Sequence, residues 1–205
     1  MRALPTRVGP PLAVVSTIAA TALIVLSFVF ANESVGAAVD LGIRADLRQL
    51  DSPWPQIALV IDWTGEPVGA ALLLATLIVV FLRMGNRRAA LLVVVGTGAA
   101  VAVTSLMKPL VGRTINDGFL SFPSGHTATA TSFALVAMLA LVSRGRTPLL
   151  LLVTVLAAAA MAWAQVLLNA HYPTDTLGGF CAALAVVPLV AWTIDRVADR
   201  KSTVD

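Results

Sequence analysis

The 205-residue chain reads as an all-α integral membrane bundle of six transmembrane helices with both termini cytoplasmic. Three observations carry this reading. Hydrophobic residues make up 58% of the sequence and charged residues only 12%, about half of the roughly 25% charged expected of a soluble domain. Six apolar runs approach the roughly 20 residues that a helix needs to cross a hydrocarbon core of about 30 Å. The basic residues then fall mostly on one side of the bundle that those runs define.

The first run, Pro11 to Phe30, follows Arg2 and Arg7 and ends on Val29-Phe30-Ala31, which resembles a signal cleavage site; its length fits an anchor instead. Residues 32–66 form the long connection, expected outside the cytoplasm. Within it Val39, Ile43, Leu47 and Leu50 repeat at helical spacing opposite Asp40, Arg44 and Arg48. That pattern predicts an amphipathic helix lying on the bilayer, with Trp54 and Trp63 at the interface.

The second run, Pro67 to Leu82, is short and is expected to recruit residues before Pro67. The third, Ala89 to Met107, carries Gly96 and Gly98 with Ala99, Ala100 and Ala102, expected close-packing positions. Ser124 to Val142, Pro148 to Leu168 and Thr176 to Ile194 complete the six. Compact hydrophilic connections, Arg83 to Arg88 and Ser143 to Thr147 among them, predict one domain over 1–205.

With the N-terminus inside, the cytoplasmic segments hold Arg2, Arg7, Arg83, Arg87, Arg88, Arg144, Arg146, Arg196, Arg200 and Lys201. The other side keeps Arg44, Arg48, Lys108 and Arg113, so ten of fourteen basic residues lie inside. The connections Lys108 to Pro123 and Asn169 to Asp175 then face outward. Charge distributed by topology, with no basic stripe interleaved with aromatics, argues against nucleic acid despite a pI near 9.8. The single cysteine, Cys181, excludes an intramolecular disulfide and is expected to be a small packing residue.

The chain has two histidines. Each sits in a polar patch at the outer end of an apolar run, Phe122-Pro123-Ser124-Gly125-His126 and His171-Tyr172-Pro173-Thr174-Asp175. With Lys108 and Arg113 they make a cation-rich group beside a helix N-terminus, a setting that suits a phosphate. Ser124 is a natural cap for the fourth run and Gly125 lets an anion approach backbone N–H groups at the positive dipole end.

His171 and Asp175 straddle the end of the fifth run and the start of the sixth. Asp175 can there accept the second ring N–H of His171 and fix its tautomer, making a nucleophile or base of an imidazole near its reference pKa of about 6.5. The same spacing also suits Asp175 as a cap of the last helix and His171 as an interfacial polar residue. Two histidines and one aspartate lack the spacing and further ligands of a zinc site. Neither a metal nor a cofactor is expected.

These residues resemble the type 2 phosphatidic acid phosphatase family, whose pattern is Lys-x6-Arg-Pro, then Pro-Ser-Gly-His, then Ser-Arg-x5-His-x3-Asp. The middle block is complete as Pro123-Ser124-Gly125-His126 and the third ends as His171-x3-Asp175. The likeness runs from Lys108 to about Gly179, roughly a third of the chain. It implies metal-independent phosphoryl transfer through a phosphohistidine, with His171 attacking phosphorus, Asp175 orienting it and His126 protonating the leaving oxygen. Lys108, Ser124 and the Gly125 N–H would hold the phosphate oxygens, and water would cleave the phosphohistidine. Such chemistry is mostly positioning and stabilisation of spread negative charge.

Two positions depart from the pattern. Ile115-Asn116 stands in place of Arg-Pro, and Ala164-Gln165 in place of Ser-Arg. One preorganised donor is worth about 2.7 to 4 kcal/mol, or roughly 10² to 10³ in rate, so two uncompensated losses would remove about 10⁴ to 10⁶. Arg113 is expected to replace the first in part, and Gln165 to donate hydrogen bonds without charge. Arg44 and Arg48, within reach from the outer loop, are expected on a solvated face.

The resemblance thus implies a lipid phosphatase hydrolysing an isoprenoid or glycerolipid phosphate or pyrophosphate at the outer face of the cytoplasmic membrane, with membrane lipids as its surroundings. Rival readings are phosphotransfer to an acceptor other than water, and a non-catalytic lipid-phosphate binder or transport component. The sequence carries no signal for oligomeric state.

Overall fold

The six apolar runs are all helical, and two more helices occupy the long connection. In chain order they are α1 (Gly9–Val29), α2 (Ala38–Leu47), α3 (Trp54–Trp63), α4 (Pro67–Arg83), α5 (Arg87–Val111), α6 (Gly125–Leu141), α7 (Thr147–Leu167) and α8 (Pro173–Lys201). Between α5 and α6 a small antiparallel hairpin pairs β1 (Thr114–Ile115) with β2 (Phe119–Leu120). The computed structural model describes residues 2–6, 8–141 and 147–201. Arg7, Arg144 and Arg146, used above to set orientation, lie outside the described residues, as does most of the Ser143 to Thr147 connection.

Three helices, α1, α5 and α8, are each long and apolar enough to cross a membrane. Together α3 and α4 pass the same test as a span bent by 60°, which supplies the residues that the short second run lacked. Two shorter apolar helices are α6 and residues Leu151–Leu167 of α7. Val14, Ile18 and Phe28 of α1, Leu106 and Leu110 of α5, and Leu189 and Trp192 of α8 all face outward. An apolar surface of that extent belongs in lipid rather than water. The protein is an integral membrane protein.

Helices α5, α6 and α8 pack on one another, α1 runs along α8, and α7 lies against α6 and α3. Leu92 and Val93 of α5, Leu135 and Val136 of α6, and Ala182 and Val187 of α8 form the buried centre. Close approach of α8 to the start of α6 needs glycine. A Cβ at Gly179 would collide with the carbonyl oxygen of Ser124, and one at Gly178 would meet the Phe122 ring at 2.6 Å. Of the two glycines expected to pack in α5, Gly96 is buried near Val187 of α8, whereas Gly98 faces outward and a Cβ there would have no neighbour within 4 Å.

Polar contacts define the two ends of the bundle. At one, Asp195 of α8 accepts the backbone N–H groups of Ala3 and Leu4 and pairs with Arg88 at 2.9 Å, while Asp199 pairs with Arg2 at 2.9 Å. Arg2 to Leu4 and the last turns of α8 therefore lie at this end. At the other, Asn32 N–H donates to the Val111 carbonyl at 2.7 Å, Thr114 N–H to that of Glu33 at 2.9 Å, and Ser124 N–H to that of Asp175 at 2.9 Å. Every residue singled out from the motifs gathers here.

Candidate active site

Four helix ends meet at this site. Helix α5 ends in a left-handed Gly112, φ 68°, whose N–H caps the Lys108 carbonyl; a Cβ there would also run into Asn32. That turn directs Arg113 back into the protein. Helix α7 ends in a left-handed Asn169, φ 62°, and the Gln165 carbonyl accepts the N–H groups of Ala170 at 2.9 Å and His171 at 3.3 Å. The imidazole of His171 is thereby held over the start of α8, only 7% of the residue exposed.

At the start of α6, the buried Ser124 Oγ accepts from the Thr127 N–H at 3.4 Å and the Thr127 hydroxyl at 3.2 Å, which leaves its own hydroxyl hydrogen to donate. Gly125 has room beside it, since a Cβ would meet only Thr104 Oγ1 at an ordinary 3.7 Å. The helix N-terminus next to Ser124 is thus open to an anion. The Ser124 to Asp175 backbone bond fixes this N-terminus against that of α8.

Asp175 is the third residue of α8, beyond the cap position. Its Oδ2 accepts the Tyr172 N–H at 2.9 Å, the reach-back of a capping box, and lies 3.6 Å from His171 Nδ1. That distance is an ionic contact rather than a hydrogen bond, and Nδ1 has no other partner among the described residues. Asp175 is therefore the N3 member of a capping box rather than the N-cap itself, and its carboxylate lies beside His171.

Arg113 is wholly buried. Its Nη1 donates to Asp175 Oδ1 at 2.6 Å and Thr174 Oγ1 at 2.6 Å, and its Nη2 donates to Asp40 Oδ2 at 2.7 Å. The guanidinium stacks between Phe30, 4.0 Å to the ring centroid, and Tyr172, 4.6 Å. Asp40 also accepts the Thr174 N–H and hydroxyl. Both Nη groups of Arg113 are engaged, one with Asp175 beside His171 and the other with Asp40.

The amphipathic segment is helical, as its periodicity predicts, with its polar face turned inward. In α2 Asp40 and Arg44 are buried while Val39, Leu41 and Ile43 are exposed. Arg44, expected on a solvated face, lies over the Tyr172 ring at 4.7 Å and donates to Asn169, as Arg48 does at 2.7 Å. The apolar residues Val39 and Ile43 are turned outward, so Asp40 and Arg44 face protein, while Arg48 stays exposed as expected.

His126, on the first turn of α6, faces the other wall. Its Nε2 lies 3.4 Å from Glu66 Oε1 and 3.7 Å from Asp62 Oδ1. Gly65 packs against the imidazole so closely that a Cβ would overlap it. Gln165, 1% exposed, donates through Nε2 to Asp62. Asp62, Glu66 and His126 offer ligand atoms within 4.8 Å of one another, a spacing that suits a cation.

The two walls act on the same histidine. Burial pushes the His171 imidazole below its ordinary value; Asp175 opposes that shift, and Lys108 and His126 add to it. Arg113 Nε, His171 Nδ1 and His126 Nε2 are buried atoms without a hydrogen-bond partner among the described residues, a combination that native interiors tolerate chiefly where function requires it.

Asp40, Asp62 and Glu66 were not singled out from the sequence as site residues. Their signal was present, in ionisable groups interrupting apolar helices, but periodicity does not tell which neighbour a polar face meets. A PAP2 superfamily model matches residues 67–198. The chain belongs to the PAP2 superfamily. Its fold is similar to the crystal structure of a transmembrane PAP2-type phosphatidylglycerolphosphate phosphatase from Bacillus subtilis, with a TM-score of 0.66 at 21% identity over 91% of this chain and 96% of that one. No curated protein sequence matches significantly. PAP2 membership and the shared membrane fold support a lipid phosphatase. The matched PAP2 segment begins after Glu66, so Asp40, Asp62 and Glu66 are contributed by the preceding part of the chain.

Proposed function

We propose that this protein hydrolyses a lipid phosphate through a phosphohistidine, on the extracytoplasmic face of the cytoplasmic membrane. The observation that carries the reading is the convergence of two histidines and Lys108 on the open N-terminus of α6. His171 attacks phosphorus through Nε2, because its Nδ1 faces Asp175. Asp175, held by Arg113 and the Tyr172 N–H, fixes the ring. Lys108, the Ser124 hydroxyl and the Gly125 N–H take the phosphate oxygens, and His126 protonates the leaving oxygen.

Arg113 contributes through Asp175, and Gln165 through Asp62. In this reading the lowered proton affinity of His171 keeps its imidazole neutral and able to attack. The six apolar helices form one membrane domain with cytoplasmic termini, and the substrate tail lies between helices. A glycerolipid or isoprenoid phosphate fits such an approach, and the phosphatidylglycerolphosphate phosphatase of similar fold lends weight to the former.

Purified protein tests this with a panel of glycerolipid and polyprenyl phosphates in excess chelator, scored by phosphate release. Release from any of them supports the assignment. Tight lipid-phosphate binding with no release would replace it with a binding protein.

A further inference from the structure

We propose that Asp62 and Glu66 position His126 as the leaving-group acid and restrict the site to phosphate monoesters. This rests on the phosphatase reading above. His126 Nε2 is a buried atom 3.4 Å from Glu66 and 3.7 Å from Asp62, without a hydrogen-bond partner among the described residues. Three elements hold the group: α3 supplies Asp62, the bend before α4 supplies Glu66 and the close-packed Gly65, and Gln165 of α7 donates to Asp62. With Nε2 turned to the carboxylates, Nδ1 is the nitrogen that meets the leaving oxygen.

The reaction consumes only the ester and one water. His171 Nε2 bonds to phosphorus as the bond from phosphorus to the leaving oxygen breaks, and the His126 Nδ1 proton passes to that oxygen, which departs as an alcohol. Water oxygen then displaces His171 from phosphorus and returns a proton to His126. The products are an alcohol and inorganic phosphate.

The identity of the leaving group decides which substrates fit. It departs beside His126, and therefore beside two carboxylates. A monoester leaves as a neutral alcohol. A diphosphate leaves as a lipid monophosphate, placing negative charge against Asp62 and Glu66 where a partly desolvated setting strengthens repulsion. Gln165, at the position where the motif carries arginine, is neutral, and both Nη groups of Arg113 are bound to Asp40, Thr174 and Asp175. The carboxylate pair lies before residue 67, where the matched PAP2 segment begins.

The test compares farnesyl phosphate, farnesyl diphosphate and phosphatidate with the purified full chain in detergent, with chelator and with added Mg²⁺. The expected result is a kcat/KM at least tenfold higher for farnesyl phosphate than for the diphosphate. Glu66→Gln, at a half-exposed side chain, and Asp62→Asn should each shrink that ratio severalfold, whereas general damage to the fold would lower both substrates alike. A wild-type preference for the diphosphate, a ratio unchanged in both variants, or diphosphate cleavage that requires Mg²⁺ would overturn the proposal while leaving a phosphatase. Absence of phosphate release from all three substrates would sink the phosphatase reading and this one with it.

Discussion

Arg113 grips Asp175 through Nη1 at 2.6 Å while its Nη2 holds Asp40 at 2.7 Å, so one buried guanidinium joins α2 to the residue beside His171. Removing one member of a buried ion pair leaves an uncompensated charge and costs about 3 to 5 kcal/mol. Arg113→Ala and Asp40→Ala should each destabilise by about that much, measured by unfolding in detergent. The double variant should lose clearly less than the sum. Additive losses would mean that the pair is not coupled.

His171→Ala should abolish turnover in a folded protein, since no phosphohistidine can form. His126→Ala should still accumulate a phosphorylated intermediate from an activated ester, with overall rate lowered about 10² to 10⁴ as for loss of a general acid. Rapid quench and detection of acid-labile phosphate on the chain separate the two. Phosphate incorporated into the His171→Ala protein would relocate the nucleophile.

Burial lowers the affinity of His171 for its proton, and the sign of the pH effect follows. The attacking imidazole must be neutral, so kcat/KM should hold below pH 6.5, the reference value, and fall only as pH drops through the lowered one. Stability moves the same way. The unfolded chain takes up this proton first, so the contribution is complete above about pH 6.5 and diminishes as pH falls. An acid limb centred above 6.5 would contradict a buried neutral histidine.

Gly179→Ala should weaken the site without removing a polar group, because the added methyl meets the Ser124 carbonyl. Overpacking of that kind costs about 1 to 3 kcal/mol, and the displaced start of α6 should raise KM for substrate phosphate. Substitution at Gly98, which faces open space, is the control and should change neither. Equal behaviour of the two variants would remove the α6 and α8 crossing from the account.

The apolar runs located the six corresponding helices to within a few residues, save that α8 continues seven residues past Ile194 to Lys201, because lipid imposes a length and a composition that local sequence cannot disguise. His126, His171, Asp175 and Ser124 were legible because their motif spacing is local. Asp40 was not, since a helical repeat reports that two faces differ and leaves open which one meets protein. Asp62 and Glu66 escaped for a related reason. Their importance depends on the 60° bend at Gly65 and on Gln165, which lies 103 residues from Asp62 in the chain. The departures in the motif became interpretable only once each substituted position had a neighbour: Gln165 faces a carboxylate, and Arg113 serves two.

The clasp of Asp195 on the backbone of Ala3 and Leu4 joins residues 192 and 191 positions apart, and α1 has its principal packing partner in α8. During synthesis the first helix must therefore wait in the bilayer for the last to arrive. The same delay governs the site, because Asp40 can accept from Thr174, and Arg113 can pair with Asp175, only after α8 begins to emerge. A nascent chain that lacks α8 carries no assembled candidate site, and any activity should appear only once α8 is in place.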